Sequence, residues 1–463
     1  MIANLQPYLE YKESGLPWLG GIPRHWNSGP GFAAFREKQV KNTGMQEKTV
    51  LSLSYGRIVV KPPEKLHGLV PDSFETYQIV DPGDIIIRST DLQNDWNSLR
   101  VGLVRNRGII TSAYLCFRTT GTLSPQYGYQ LLHTFDLMKV FYGLGSGLRQ
   151  NLDWSDFKRM LIFIPPPDEQ AVMVRFLEYA NGRLERGIRA KRKVIALLHE
   201  QKQAIIHRAV TRGLDPTVPL KPSGIPSLGD IPKHWEVLRA KYLFREVDER
   251  STSGNEELLS VSHITGVTPR SQKNITMFKA QSYVGHKLCR PGDLVVNTMW
   301  AWMAALGVSA HTGIISPAYA VYRPRSAEKI VGGYIDGLLR TRPYVSNIIC
   351  RSTGVRASRL RLYPEEFFRL SIILPPAPEQ QQIVHSIASE TAQLNTTIIH
   401  LEREIALLWE YRTRLVADVV TGKLDVRGVT LPAESEPPAA LAAETIEQDS
   451  SEPEEAESPS DRR

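Results

Sequence analysis

The segment GLPWLGGIPRHW at residues 15–26 returns as GIPSLGDIPKHW at residues 224–235, identical at eight of twelve positions. The matched pairs are Gly15/Gly224, Pro17/Pro226, Leu19/Leu228, Gly20/Gly229, Ile22/Ile231, Pro23/Pro232, His25/His234 and Trp26/Trp235. So proline-punctuated a match argues for two related halves, and other pairs follow at nearly the same offset. DPGDIIIR (81–88) answers RPGDLVVN (290–297), TSAYLCFR (111–118) answers SPAYAVYR (316–323), FIPPPDEQ (163–170) answers ILPPAPEQ (373–380), and VTRGLD (210–215) answers VTGKLD (420–425). The loops between these anchors differ in length, so a shared frame carries divergent insertions.

Within each half the pattern changes at the proline run. Before it, short apolar stretches broken by Gly, Pro, Asn and Asp predict a sheet-rich, loop-rich domain, and each Pro-Gly-Asp reads as a tight turn entering a buried strand. After it, residues 168–212 and 378–422 contain no proline except Pro378, which suits a first helical turn. Leu184, Ile188, Ile195, Leu198 and Ile205 in the first segment, and Leu394, Ile398, Leu401, Ile405, Leu408 and Leu415 in the second, recur at spacings of three, four and seven. Such a narrow apolar stripe suits a facing helix, and each helix's best partner is the other. Lys191, Lys202 and Arg412 interrupt the seam. The stretch from Arg183 to Val210 would span about 42 Å at the α-helical rise.

A chain of 463 residues with 42% apolar content can bury at least two cores. No apolar run is long enough to span a membrane, and the first fifteen residues lack a secretory signal pattern, so a cytoplasmic location is expected. The three cysteines, Cys116, Cys289 and Cys350, have no metal-ligand spacing and suggest neither a zinc site nor disulfides. The formal charge of +7 is the balance of −8 over residues 429–463, where ten carboxylates face Arg462 and Arg463, and +15 over the other 428 residues. The basic body favours a polyanionic partner. The tail, rich in Pro, Glu, Ser and Ala, cannot repay the entropy of ordering and is predicted to be disordered.

Catalytic signatures are missing. Phe141, Gly143 and Gly145 imitate the Phe-x-Gly-x-Gly loop of adenosylmethionine-dependent methyltransferases, yet no Asn/Asp-Pro-Pro-aromatic motif follows. There is no P-loop, no His-Glu-x-x-His helix and no Gly-x-Ser-x-Gly elbow. His25 and His234 sit beside Trp and Pro in segments that read as packing. GSGLRQN and STGVRAS are glycine-bearing turns presenting Arg149 and Arg356 at equivalent places, either toward a phosphate or simply to solvent. The variable loops supply further DNA-binding candidates: Arg57, Lys61, Arg88, Arg105, Arg107, Gln150 and Asn151 in the first half, and Arg270, Lys273, Asn274, Lys287, Asn297, Arg351, Arg359 and Arg361 in the second. Arg, Lys, Asn and Gln are the side chains that reach purine edges in the major groove or hold phosphates.

YKESGLPWLGGIPRHW and PSGIPSLGDIPKHW, IPPPDEQ and LPPAPEQ, AVTRGLD and VVTGKLD occur in order and in duplicate over residues 11–428. This arrangement resembles the specificity (S) subunits of type I restriction-modification systems. The resemblance implies a mixed α+β chain with two pseudo-twofold related globular target-recognition domains separated by two long antiparallel coiled-coil-like helices. The expected division is 1–167 and 216–377 for the recognition domains, 168–215 and 378–428 for the central and distal helical regions, and 429–463 for the tail. It further implies double-stranded DNA as ligand, each domain reading half of a bipartite target, with the helices setting the spacer. Two modification (M) subunits and, through them, restriction (R) subunits would be the partners. Adenosylmethionine would belong to M, and ATP and Mg to R; the chain itself would hold no cofactor or metal and catalyse nothing. Two rivals remain at this stage: a self-contained DNA methyltransferase or nuclease, distinguished by adenosylmethionine binding to the isolated chain, and a scaffold whose duplicated domains bind proteins.

Overall fold

The computed structural model describes residues 5–431 except Pro17, Pro63, 65–72, Asn94, Asn97, 145–150, Pro226, 273–281 and 355–359. The predicted tail therefore lies outside the described residues from Pro432 on. The chain forms two compact units, one made of Met1–Ala190 with Glu404–Arg463 and the other of Lys191–Arg403. This differs from the expected contiguous division: both long helices are shared between the units, because each helix end packs into a globular core.

Unit 1 contains strands β1 (Phe35–Glu37), β2 (Leu51–Ser54), β3 (Arg57–Val60), β4 (Ile85–Ile87), β5 (Val101–Leu103) and β6 (Leu115–Thr119), then helix α1 (Pro125–Leu137). Helix α2 runs Pro167–Arg212. Unit 2 repeats the plan with β7 (Phe244–Glu246), β8 (Leu259–Ser262), β9 (Gly266–Pro269), β10 (Leu294–Val296), β11 (Leu306–Val308), β12 (Ala320–Pro324) and α3 (Gly332–Leu339), and helix α4 runs Ala377–Val420. The central four-stranded antiparallel sheets have the same order, β1-β6-β4-β5 and β7-β12-β10-β11. β2 and β3 form a hairpin, as do β8 and β9.

The repeated residues are the bolts of this frame. In each Pro-Gly-Asp turn the aspartate caps its own turn: Asp84 accepts the Asp81 N–H at 2.7 Å, and Asp293 accepts the Arg290 N–H at 2.9 Å. The glycines take φ values of +91° at Gly83 and +88° at Gly292, which side chains rarely adopt. The turns feed strands whose residues, Ile85–Ile87 and Leu294–Val296, are all buried. The matched Ala-Tyr…Arg motifs lead into the neighbouring strands, which carry Arg118 and Arg323. Arg118 Nε donates to Asp84 at 2.7 Å and Arg323 Nε to Asp293 at 2.8 Å, so the two repeated motifs meet as a salt bridge in each unit. Burying those carboxylates is tolerable because turn amides and guanidinium both satisfy them.

Each long helix starts at the proline exit, with Asp168 and Glu169 or Glu379 in the first turn, where carboxylates favour the helix dipole. Each ends at a glycine of φ +74°, Gly213 and Gly422, a left-handed C-terminal cap. The ends dock crosswise in sequence. In unit 1, Tyr127 of α1 donates its hydroxyl to the Val420 carbonyl of α4 at 3.3 Å; in unit 2, Tyr334 of α3 donates to the Val210 carbonyl of α2 at 3.1 Å.

Along α2 the partly or fully buried positions 184, 188, 191, 195, 198, 202, 205 and 209 alternate by four and three, and along α4 so do 391, 394, 398, 401, 405, 408, 412 and 415. Ile188, Ile398 and Leu415 are buried; Leu184, Ile195, Leu198, Ile205, Leu394, Leu401, Ile405 and Leu408 are half-buried. In unit 2 Lys202 donates to Asn395 at 2.9 Å and Arg208 pairs with Glu390 at 3.5 Å, so rising numbers on α2 meet falling numbers on α4: the helices are antiparallel. The polar seam residues are thus partnered rather than disruptive. In unit 1 Arg412 pairs with Glu185 at 3.2 Å, and Glu185 also takes Arg57 from β3.

Candidate nucleic-acid interface

The loop after the buried strand is the most elaborately supported surface of unit 1. Arg100, fully buried at its end, donates to the carbonyls of Arg88 (3.2 Å), Thr90 (2.8 Å), Asp91 (3.1 Å) and Asp95 (2.7 Å) and to the Tyr142 hydroxyl (3.2 Å). Five donors on one planar fork fold the loop around themselves. The Ser89 hydroxyl bonds to the Ala113 carbonyl at 3.3 Å, and the Leu152 N–H bonds to the Ser89 carbonyl at 2.8 Å. Unit 2 uses the same fastenings without the arginine: Thr298 Oγ1 donates to the Ala318 carbonyl at 2.9 Å, and the Leu362 N–H to the Thr298 carbonyl at 3.0 Å. In both units, therefore, the loop after the Pro-Gly-Asp strand is held against a residue further along the chain, Leu152 or Leu362.

Among the predicted contacts, this brings together Arg88, which pairs with Asp95 at 3.1 Å, and Asn151, whose side chain accepts the Asp91 N–H at 3.1 Å. Arg149, Gln150, Lys273, Asn274, Arg356 and Arg359 lie outside the described residues. Arg361 forms a backbone bridge with Thr353, and Arg351 binds Asn347 at 2.8 Å. Lys61, Arg105, Arg107 and Arg361 are exposed and Arg270 is half-exposed. Arg107 pairs with Asp81 at 2.9 Å.

Two candidates are corrected by their burial. Lys287 and Asn297 are buried: the ammonium of Lys287 points to Asp248 at 3.7 Å, and the Asn297 side chain accepts the Met299 N–H at 3.2 Å, capping its own turn. Arg57 is turned to Glu185 on α2. Lys287 and Asn297 serve the frame, whereas Arg57 keeps part of its surface exposed. Phe141, the start of the methyltransferase-like motif, is a fully buried core residue packed edge-on to Phe157. Among the described residues no group of three His, Cys, Asp or Glu side chains is arranged to hold a metal ion.

His25 and Trp26 form a node that spacing alone did not reveal. Trp26 Nε1 donates to Glu169 Oε2 at 2.7 Å and His25 Nε2 lies 2.6 Å from Oε1, while Arg427 reaches the same carboxylate at 3.1 Å. Unit 2 repeats it: Trp235 donates to Glu379 at 3.0 Å and His234 lies 2.7 Å away. The neighbouring glutamines act alike, Gln170 bonding the Pro165 carbonyl and the Ser124 N–H, and Gln380 the Pro375 carbonyl and the Val331 N–H. The sequence signal was present in the pairing of His-Trp with Glu-Gln in both halves.

Asp136 on α1 accepts the Arg100 N–H at 2.6 Å, and its other oxygen has no partner among the described residues. Burial pushes its carboxyl up to about 6. A carboxyl whose folded value lies above its unfolded one stabilises the fold below the unfolded value and loses that contribution as pH rises through the folded one. Unit 1 should therefore lose on the order of 3 kcal/mol between pH 4 and pH 6 from this group, with little further change above. Asp136→Asn should flatten that slope and raise stability at pH 7 to 8, which urea midpoints across this range would check.

No protein-family model matches the chain, and no curated protein matches it. Solved structures do. A chain from work on complex assembly and conformational transition of the type I R-M system superposes with TM-score 0.58 at 15% identity, over 87% of this chain and 99% of that one. The chain therefore shares the fold of that type I R-M system chain. Also similar are an HsdS subunit from Thermoanaerobacter tengcongensis (TM-score 0.39, 15% identity, 87% and 98% covered) and a type I restriction-modification S subunit from M. genitalium (0.33, 11%, 90% and 99%). No described helix is long and apolar enough to cross a membrane.

Proposed function

We propose that this chain is the DNA specificity subunit of a type I restriction-modification complex. Each unit reads one half of a bipartite, asymmetric double-stranded target, α2 and α4 set the spacer, and the chain docks two M subunits and, through them, R subunits. The observation that carries this reading is the duplication of a rigid frame around loops that do not match. One domain discriminates only a few base pairs at about 1 to 3 kcal/mol each, so a genome offers many chance matches, and two linked readers multiply the selectivity. The missing catalytic signatures support a non-catalytic role, with adenosylmethionine held by M and ATP and Mg by R, and the work confined to the cytoplasm.

The chain purified with its M subunit should bind and methylate one bipartite sequence, with affinity falling steeply as salt rises. Sequence-blind binding would favour a scaffold, and stoichiometric adenosylmethionine binding by the chain alone would favour an enzyme. Adding one heptad to both α2 and α4 should change the tolerated spacer and leave each half-site unaltered; methylation mapping that showed new half-site bases would defeat the ruler.

A further inference from the structure

The loops that follow the Pro-Gly-Asp strands have no sequence correspondence, STDLQNDWNSLR in one half and NTMWAWMAAL in the other, yet both build the same object. In unit 1, Trp96 Nε1 donates to the carbonyl three residues back, Gln93, at 3.2 Å; in unit 2, Trp302 Nε1 donates to the carbonyl three residues back, Met299, at 3.0 Å. Each indole then lies on a second aromatic of its own unit. Trp96 stacks on Tyr142 with centroids 4.3 Å apart and planes at 25°, and Trp302 stacks on Trp300 at 5.6 Å and 29°.

The stack in unit 1 is braced from behind. Lys139 donates to the Trp96 carbonyl at 2.6 Å with its ammonium 5.0 Å from the Tyr142 ring, and the Arg100 guanidinium lies 5.4 Å from that ring on its way to the loop carbonyls. Even so, Trp96 stays 54% exposed and Trp302 is only half-buried. Leaving an indole in water forgoes burial energy that packing could collect, so a fold that stiffens the ring and still presents it is spending stability on a contact. With the N–H already satisfied, the ring can read no donor or acceptor. What it offers is a flat apolar face, whose complements on a duplex are the methyl group of thymine in the major groove and the face of a base displaced from the stack.

We propose that Trp96 and Trp302 are specificity-determining residues that make face contacts to the bases, one in each half-site. This rests on the reading of the chain as a DNA specificity subunit and names the kind of contact that reading leaves open.

The test uses the full chain with its M subunit and the duplex that this complex selects from a random pool. Trp96→Ala should weaken binding of that duplex about 10- to 100-fold, the range alanine substitution shows for base–aromatic contacts, with binding to unrelated duplex unchanged. Trp96→Phe should restore most of the loss. Base-pair scanning should confine the Trp96→Ala effect to one half-site and that of Trp302→Ala to the other. Replacing thymine by uracil separates the two chemistries: a loss in the unsubstituted complex that vanishes in the alanine variant identifies the methyl group, and a loss only at abasic positions identifies a base face. Should an alanine variant fold poorly, 5-iodouracil placed along the duplex and irradiated with the unsubstituted complex should give adducts at Trp96 and Trp302. Full affinity in both alanine variants, or adducts only elsewhere, overturns the proposal while leaving the specificity reading intact; an unsubstituted complex that selects no sequence overturns both.

Discussion

Glu169→Ala should destabilise unit 1 by about 3 kcal/mol, more than any exposed substitution on the same helix. The carboxylate is buried and accepts the Trp26 indole N–H, and Trp26 itself has no exposed surface. Removing it strands that donor in the core, which alone costs about 1 to 3 kcal/mol. His25 and Arg427, each nearly half exposed at the side chain, add little, because solvent screens their pairing. Tyr8, whose hydroxyl is held well above its ordinary value by burial and then by the Glu169 charge, also donates to the carboxylate at 3.4 Å and would lose that partner. Glu169→Gln keeps an acceptor for the indole and should recover roughly half of the loss. The matching Glu379→Ala should cost about half as much, since Glu379 is a quarter exposed and water can replace it. Hydrogen exchange resolved by peptide would assign each loss to its unit; equal protection losses at the two sites would refute the argument.

Gly422→Ala should cost about 3 kcal/mol, against about 1 kcal/mol for Gly213→Ala. Both glycines cap a long helix at φ +74°, so both substitutions pay the left-handed backbone penalty. They differ in surroundings. A methyl on Gly422 would run into the Pro23 ring and the Trp26 indole, which are rigid and packed, whereas one on Gly213 would meet Trp235 and Glu379 at 3.4 Å, an ordinary contact distance. Thermal unfolding of the two variants should show the larger drop for Gly422→Ala, and equal drops would mean that the two helix ends are docked alike.

Much of the frame was legible in advance because the repeated motifs are residues whose chemistry admits few roles. Pro-Gly-Asp reads as a turn entering a buried strand, proline reads as a helix start, and three-four spacing reads as a seam, and the buried Ile85–Ile87 and the half-buried seam positions follow the same logic; the antiparallel sense of the contacts at Lys202 and Arg208 was implied by the family resemblance alone. The candidate interface was less legible. Side-chain type alone made Lys287 and Asn297 look like surface groups, but a lysine stem can be covered while its ammonium finds an aspartate, and an asparagine can be consumed by its own turn. Arg100 carried no signal at all, since nothing local announces that a loop will fold around one arginine. Trp96 and Trp302 were overlooked because comparison of the halves rewards identical positions, and these two indoles reach similar hydrogen bonds and ring stacks from unmatched ones.

The crosswise docking of the helix ends has a consequence for gene fragments. A chain ending near residue 212 would carry a sheet unit whose Tyr127 has no α4 terminus to hold, and an α2 terminus lacking the Tyr334 that receives it. Each such fragment is short of what its twin has spare. Two copies could exchange those termini, each supplying the contact that the other lacks.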